Sequence, residues 1–189
     1  MKIAILGWGS LIWQPKELKF DKQIGWNEKG AILPIEFSRI SSNGRLTLVI
    51  DSNAQRVQTL YAISLYEKLD EAILDLAVRE GCAKAKIGWY NKNNNEFSPN
   101  NFGYQEEIKQ WINDTDCDAV IWTNLGKRFK DKIGLNHNTE NVINYLQTLP
   151  EETKVIAEEY IRKAPKQIQT PMRQGIEEKL GWAFIEIKE

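Results

Sequence analysis

Apolar and polar positions alternate along the chain in a pattern that predicts an α+β protein. Residues 3–6 are apolar and β-prone, and Gly7 ends this run, so we expect a buried first strand that leads into a glycine turn. The polar stretches 91–101 and 165–181 are predicted to be irregular, the second because Pro171 and Gly175 interrupt it. The other predicted elements are strands at residues 57–65 and 119–123 and helices at 66–80, 104–112, 138–149 and 151–163.

A hairpin is predicted at residues 35–51, where two alternating segments flank Asn43-Gly44. The Asn-Gly pair favours a two-residue type I′ turn, which would pair Ser42 with Arg45. In that register Arg39 is the one charge on an otherwise apolar face of the hairpin. Arg39 is therefore an anomalous residue that needs a partner.

Length and composition are those of an ordinary globular domain, with 189 residues, 42% of them hydrophobic and 27% charged. We expect one domain over residues 1–189, with the chemical motifs in 1–90 and a C-terminal extension at 150–189. The net charge of −1 provides no basic field for binding nucleic acid or an anionic membrane. Because the amino terminus lacks the apolar core of a signal peptide and no run is long enough to span a membrane, a cytoplasmic location is expected.

Metal and thiol chemistry are both disfavoured by the residue counts. The two cysteines, Cys82 and Cys117, show no disulfide or metal-ligand spacing and are predicted to be reduced thiols. The single histidine, His137, cannot supply the usual ligand set of a metal site and is expected to be a solvated loop residue. A Cys-His hydrolase built from His137 and one cysteine remains an alternative, since separation in sequence neither supports nor excludes it.

The glycine turn Gly7-Trp8-Gly9-Ser10 is the first feature that can carry chemistry. Its two glycines let backbone amides turn outward and cradle an anionic group such as a carboxylate or a phosphate. A dinucleotide-binding loop fits poorly, because Ile12 stands where a third glycine is needed and Pro15 interrupts the helix that should follow. A tight connection that binds no ligand is the alternative interpretation.

Glu80 is the second feature of this kind. Continuing the apolar stripe of the predicted helix by four residues from Leu76 leads to Glu80, so a carboxylate occupies the last position of a core-facing row. Partial desolvation and the negative end of the helix dipole both favour its protonated form, which suits general acid-base catalysis near neutral pH. The alternative is a structural ion pair with Arg39 or Arg79.

Three segments of the chain together form a further pattern. They are Gly7-Trp8-Gly9-Ser10-Leu11-Ile12-Trp13, Phe37-Ser38-Arg39 and Val78-Arg79-Glu80-Gly81. In this order they resemble the glycine turn, the aromatic-plus-arginine strand and the end of the glutamate-bearing helix in the gamma-glutamylcyclotransferase superfamily, most closely its ChaC-type branch, whose turn is Gly-Tyr-Gly-Ser-Leu-Ile-Trp. Ile87-Gly88-Trp89-Tyr90 stands in the place of a further Gly-Gly-Tyr segment.

The resemblance implies a mixed, barrel-like β-sheet with flanking helices and a γ-glutamyl cyclotransferase activity that needs no metal or organic cofactor. Glu80 would take a proton from the substrate's α-ammonium, the freed amine would attack the γ-carbonyl, and Glu80 would return the proton to the leaving amine, which releases 5-oxoproline. The implied partner is a small γ-glutamyl amide or peptide, and the oligomeric state is left open. The implied site residues are Glu80 for catalysis and Gly7, Trp8, Gly9, Ser10, Leu11 and Arg39 for substrate binding.

Two departures from the superfamily pattern leave the identity of the substrate open. Trp8 replaces the tyrosine of the turn and removes a hydroxyl, although its indole N–H still offers one donor. Residues 41–45 lack the histidine-containing stretch of glutathione-degrading ChaC members. Arg39 is expected either to contact a substrate anion or to pair with Glu80, and Arg45 is a further candidate for the leaving-group pocket. The alternative function is a non-catalytic small-molecule binding or interaction protein on the same fold.

Overall fold

The computed structural model describes residues 1–186, and the chain divides into two compact units. The first unit contains residues 1–7, 14–33 and 58–125, and the second contains residues 8–13, 34–57 and those from 126 onward. Strands and helices occur in both units, which confirms the predicted α+β class. Within the described residues, no helix has the length and apolar character needed to cross a membrane.

Most of the predicted elements are present, with ends that differ by a few residues. The strands are β1 (Ile3–Gly7), β2 (Ile32–Ile40), β3 (Leu46–Ile50), β4 (Arg56–Gln58), β5 (Leu60–Ile63), β6 (Ile87–Asn91), β7 (Glu96–Ser98) and β8 (Ala119–Thr123). The helices are α1 (Leu69–Glu80), α2 (Gln105–Asn113), α3 (Phe129–Ile133), α4 (Thr139–Thr148), α5 (Glu151–Lys163) and α6 (Pro171–Leu180).

A mixed five-stranded sheet forms the centre of the first unit, in the order β5-β1-β8-β6-β7. Strand β1 runs parallel to β8, and the other neighbouring strands are antiparallel. The sheet has two edges, β5 and β7, and does not close into a barrel over the described residues, so the mixed sheet was predicted correctly but its barrel-like form was not. Helix α1 packs against β6 and β8 and buries its apolar stripe there.

Gly88 on β6 has a packing role in this sheet. It lies opposite Trp122 on β8, whose side chain is fully buried. A Cβ atom at position 88 would lie 2.3 Å from the indole ring, which is far inside van der Waals contact. The glycine of Ile87-Gly88-Trp89-Tyr90 therefore makes room for a core tryptophan.

The asparagine-rich stretch 91–101, which we predicted to be irregular, contains a strand. Strand β7 pairs with β6 as a hairpin, and Phe97 stacks on Tyr90 with ring centroids 4.1 Å apart. Asn95 takes a left-handed conformation with φ of +56°, which asparagine tolerates better than most residues. The prediction failed because the strand is short and because turn-forming residues outnumber apolar ones in the stretch 91–101.

The strand predicted at residues 57–65 is divided into β4 and β5 at Thr59. The Thr59 N–H and hydroxyl both donate to the carbonyl oxygen of Ala31, at 3.2 and 2.6 Å. These two bonds attach Thr59 to Ala31 and interrupt the strand at this residue. The alternating apolar pattern of the sequence therefore does not produce one continuous strand.

The three-stranded antiparallel sheet β3-β2-β4 belongs mainly to the second unit, and its hairpin turn differs from the prediction. The Ser41 N–H donates to the Arg45 carbonyl at 2.9 Å, so three residues rather than two form the loop. Only Gly44 is left-handed, with φ of +81°, whereas a type I′ turn also needs a positive φ at Asn43. The predicted pairing of Ser42 with Arg45 is therefore wrong.

A β-bulge at Ser38 also changes the predicted faces of the hairpin. Phe37 pairs with Leu48, but the next pair is Arg39 with Thr47, so one residue of β2 is left over. Arg39 consequently lies on the face opposite Phe37, and the prediction that it sits on the apolar face is wrong. The apolar face of β2 and β3 carries no charge, and α5 packs against β3.

Residues 165–181 were predicted to be irregular but contain helix α6. Pro171 stands at the first helical position, where a missing N–H costs nothing, and the Thr170 side chain accepts from the Arg173 N–H as an N-cap. Gly175 allows a close approach to α4, because a Cβ there would lie 2.5 Å from the Thr139 methyl group. Both residues that suggested an interruption are thus helix-forming in context. The apolar patch expected at 182–187 begins with a buried Trp182, and residue 187 lies outside the described residues.

Arg173 on α6 is completely buried and organises the chain that precedes its helix. Its guanidinium donates to the carbonyls of Ala164, Pro165 and Ile168 at 2.8–3.0 Å, and its Nε donates to Glu177 at 3.2 Å. Desolvation lowers the pKa of Arg173, which the Glu177 carboxylate partly offsets. One side chain therefore satisfies three backbone carbonyls of the loop between α5 and α6.

We expect Arg173→Met to lower the free energy of unfolding by about 2 kcal/mol or more, because the carbonyls of Ala164 and Ile168 lose their donor at about 1–3 kcal/mol each. Arg162→Met is the matched control, since Arg162 is one-third exposed and its ion pair with Glu158 is of the helix-surface type, worth about 1 kcal/mol or less. Urea denaturation measures both variants. Equal losses in the two would contradict the structural role of Arg173.

Candidate functional site

The glycine turn lies at residues 8–13 of the second unit, directly after β1 ends at Gly7. Trp8, Gly9 and Leu11 are buried, and the Ile12 N–H closes the turn by donating to the Gly9 carbonyl at 3.0 Å. The N–H groups of Gly9 and Leu11 donate no hydrogen bond to any described residue. Buried amides without a partner are rare, so these two are available to an anionic group, as the glycine pattern suggested.

Tyr160 on α5 lies against this turn, and no feature of the sequence pattern singled it out. A Cβ built on Gly9 would lie 2.3 Å from the Tyr160 hydroxyl oxygen, so that oxygen lies in the space that a side chain would otherwise fill. The same hydroxyl accepts the Leu48 N–H at 3.3 Å. On an amphipathic helix a tyrosine is usually a core residue, which is how residue 160 would be interpreted from its spacing alone.

Arg45 and Trp13 complete the surroundings of Tyr160. The Arg45 guanidinium lies 4.7 Å from the centroid of the Tyr160 ring, and Trp13 meets that ring edge-on at 5.3 Å. The Arg45 Nε is buried and has no hydrogen-bond partner among the described residues. A cation, a phenol hydroxyl and two amides without partners are thus gathered around one turn, and all of them suit a carboxylate-bearing ligand. We call Gly9, Leu11, Trp13, Arg45 and Tyr160 the glycine-turn cluster.

Glu80 is the last residue of α1 in the first unit, as predicted, and Gly81 ends the helix in a left-handed conformation. Its side chain is 17% exposed and its Oε1 pairs with Arg79, which is 6% exposed. The other oxygen, Oε2, makes no hydrogen bond to the described residues. Of the two arginines considered from the sequence, Arg79 is therefore the ion-pair partner of Glu80.

Arg79 is itself held in place by the backbone. Its Nη2 donates to the carbonyl of Gln14 at 2.7 Å, while Nη1 donates to Glu80. As a cation in the last turn of α1, it also interacts favourably with the helix dipole. These contacts fix the direction in which the Glu80 carboxylate is held.

Arg39 has a carbonyl, not a carboxylate, as its partner. Its Nη1 donates to the Gly126 oxygen at 2.7 Å. Burial lowers the pKa of Arg39, and the nearby Arg128 guanidinium lowers it further. The Gly126 carbonyl is therefore the hydrogen-bond partner that the structure gives Arg39 among the described residues.

The cysteine alternative loses support from the surroundings of the thiols. Burial raises the pKa of both Cys82 and Cys117, whereas a catalytic cysteine needs a lowered pKa. His137 is not the solvated residue that we expected, because its Nε2 lies 2.9 Å from the Phe37 carbonyl and its ring packs edge-on against Phe129. Within residues 1–186 no group of three or more His, Cys, Asp or Glu side chains could hold a metal ion.

Comparison of the chain with known protein families, with curated proteins and with solved structures finds no match. The superfamily resemblance therefore depends on the three sequence motifs alone. The assignment of Gly7, Trp8, Gly9, Ser10, Leu11, Arg39 and Glu80 to a substrate site stays a prediction.

The contact between Gly9 and Tyr160 can be tested directly. We expect Gly9→Ala to lower the free energy of unfolding by about 1–3 kcal/mol, because the new methyl group collides with the Tyr160 hydroxyl. In a Tyr160→Phe background, where that oxygen is absent, the same change will cost less.

Gly103→Ala is the control, since a Cβ at residue 103 meets no atom within 4 Å and its φ is not positive. We expect it to be neutral or slightly stabilising. Chemical denaturation of the four variants gives the comparison. A Gly9→Ala cost that is unchanged by Tyr160→Phe would show that the hydroxyl is not responsible.

Proposed function

We propose that this protein is a γ-glutamyl cyclotransferase-like enzyme with a gamma-glutamylcyclotransferase-like fold, which releases 5-oxoproline from a small γ-glutamyl amide or peptide. The observation that carries the proposal is the pair of amides without partners at Gly9 and Leu11, in the turn that resembles the superfamily motif. A free α-carboxylate is a suitable ligand for these amides and for the neighbouring Arg45 guanidinium.

The glycine-turn cluster also offers a replacement for the motif tyrosine, whose position is occupied by Trp8. The Tyr160 hydroxyl, which reaches the turn from α5, supplies a phenol next to Gly9. A phenol can donate to a carboxylate or to a developing oxyanion, which is the kind of interaction that acyl-transfer catalysis requires. In this proposal Tyr160 takes over a substrate contact that Trp8 cannot make.

Glu80 acts as the general acid-base group in the proposed reaction. Its Oε2 accepts a proton from the substrate's α-ammonium, the amine attacks the γ-carbonyl of the same molecule, and the C–N bond to the leaving amine breaks as Glu80 returns the proton. Ring closure is intramolecular, so holding the substrate in a folded conformation supplies much of the rate. The chemistry balances without any co-reactant.

A non-catalytic small-molecule binding protein is the second candidate, and the ion pair of Glu80 with Arg79 is the observation that favours it. In that case Glu80 would only stabilise the end of α1, while the turn amides would still bind an anion. The two candidates differ in whether any γ-glutamyl compound is converted to 5-oxoproline.

The decisive experiment measures 5-oxoproline release from a panel of γ-glutamyl amino acids, γ-glutamylamines and glutathione. For a substrate that is turned over, we expect Glu80→Gln to lower the rate by at least about 10²-fold, because glutamine keeps the shape of the side chain but cannot carry the proton. Glu71→Gln, in the exposed first turn of the same helix, is the matched control and should leave the rate unchanged.

Thermal unfolding of the same variants separates the two candidates. If Glu80 is only a structural partner of Arg79, Glu80→Gln will lower stability by up to about 3–5 kcal/mol, the cost of stranding a buried charge, and any turnover will survive. A destabilised variant that keeps its turnover would remove Glu80 from the mechanism. A protein that converts no member of the panel would favour the binding candidate.

A further inference from the structure

A polar cavity lies wholly within the second unit, and the proposed function does not use it. Its volume is about 730 Å³, a size typical of small-molecule sites. Buried polar residues of β2 and of the chain after β3 form one wall, namely Glu36, Ser38 and Asp51. Residues 127–131 and 136–139 and the start of α6 complete the lining. The bulge that separates Arg39 from Phe37 belongs to the same strand.

Glu36 is a buried carboxylate without a cation. Its Oε1 accepts from the Thr170 hydroxyl at 2.5 Å and from the Phe37 N–H at 2.7 Å, and its Oε2 accepts only a long bond, 3.4 Å, from the Met172 N–H. All three donors are neutral, and no ion pair involves Glu36 among the described residues. Burial raises the pKa of Glu36, and its three hydrogen bonds and the nearby His137 ring offset this effect only in part.

Asp51, on the same wall, is a buried acid that does have a cation as its partner. Lys127 donates to its Oδ1 at 3.0 Å and the Asn53 N–H donates to the same atom, and these bonds keep the pKa of Asp51 low despite burial. The contrast leaves Glu36 as the buried acid of the cavity that has no ion-pair partner among the described residues.

Two further polar groups of the lining can accept a hydrogen bond from a ligand. The Ser38 hydroxyl is fully buried beside Asp51, close enough to help lower the pKa of that acid but without a well-formed hydrogen bond. His137 lines the cavity, and its Nε2 lies 2.9 Å from the Phe37 carbonyl, so Nδ1 is the ring nitrogen left for a ligand. The exposed basic residues Lys127, Arg128 and Lys130 lie at the rim.

We infer that this cavity binds a small organic ammonium ion, with Glu36 as its anionic anchor. A primary ammonium brings three N–H donors and one positive charge to Glu36, whose hydrogen-bond donors among the described residues are all neutral. The acids and His137 do not converge closely enough to hold a metal ion, so a larger cation fits the arrangement better. This inference does not rest on the proposed function, because none of its residues belongs to the glycine-turn cluster or to the helix that carries Glu80.

The ammonium group can belong to a simple amine or to an amino acid. The basic rim distinguishes these sources, because an amino acid can place its carboxylate near Arg128 while its ammonium reaches Glu36. A simple amine has no carboxylate, so the basic residues at the rim do not increase its affinity. The two sources therefore differ in affinity for the same cavity.

Isothermal titration calorimetry with three probes of similar length tests the inference on the whole chain. We expect n-butylamine and γ-aminobutyrate to bind and butyrate not to bind; tighter binding of γ-aminobutyrate identifies an amino acid as the ligand class, and equal binding identifies a simple amine. Binding of butyrate at least as tight as that of the amines, or binding of none of the three, would overturn the inference.

Substitutions of residues that line the cavity test whether the amine binds there. Glu36→Gln should weaken amine binding by at least tenfold, whereas Asp131→Asn, which removes an exposed acid of the same cavity, should change it less than twofold. Equal losses in both would mean that Glu36 is not the anchor. Because Glu36 also holds the start of α6, its variant can lose stability.

Ala54→Phe fills the cavity while keeping Glu36, and it should abolish binding. Val155→Phe adds the same ring at an exposed position of α5 outside the cavity and should leave binding intact. Amine binding that survives Ala54→Phe in a folded protein would place the ligand elsewhere.

Discussion

The β-bulge at Ser38 is the constraint on which the second unit depends. One additional residue in β2 sends Phe37 and Arg39 to opposite faces, so the face that α5 covers is entirely apolar and the opposite face collects Glu36, Arg39 and Asp51. Without the bulge, one of these charges would be buried under α5, where nothing could pair with it. The same local irregularity therefore protects the core and creates the polar wall of a cavity.

The position of Tyr160 follows from the apolar face. Strand β3 is the edge of its sheet, so the Leu48 N–H has no neighbouring strand to bond, and the Tyr160 hydroxyl accepts it. Packing of the ring against Phe37 and Trp13 then sets the hydroxyl next to Gly9. A residue that completes a sheet edge is in this way also part of the candidate site, which is why its role cannot be recognised from helical spacing.

Elements with a long, regular apolar period could be predicted, because burial of one face decides them: α1 with its terminal Glu80 is the best case. Features that depend on a single contact between residues could not be predicted. Pro171 and Gly175 are usual interruptions, yet the first occupies the start of α6 and the second makes room for Thr139. The hairpin was predicted but its register was not, since Asn43-Gly44 is compatible with both a two-residue and a three-residue loop. Arg45 was named as a candidate, but its position over Tyr160 depends on packing between β3 and α5.

The ion pair between Arg79 and Glu80 does not oppose a catalytic role, although the sequence presents pairing and catalysis as alternatives. Arg79 is bound to the Gln14 carbonyl on one side and to Glu80 Oε1 on the other, so it orients the carboxylate while leaving Oε2 without a partner. A general base needs one oxygen directed at the proton and a rigid attachment behind it, and a fixed guanidinium provides that attachment. Glu36 shows the opposite arrangement, with neutral donors around an acid that has no cation. The surroundings of the two glutamates therefore suit different tasks: in the two proposals, the half-buried Glu80 would move a proton and the buried Glu36 would hold a positive charge.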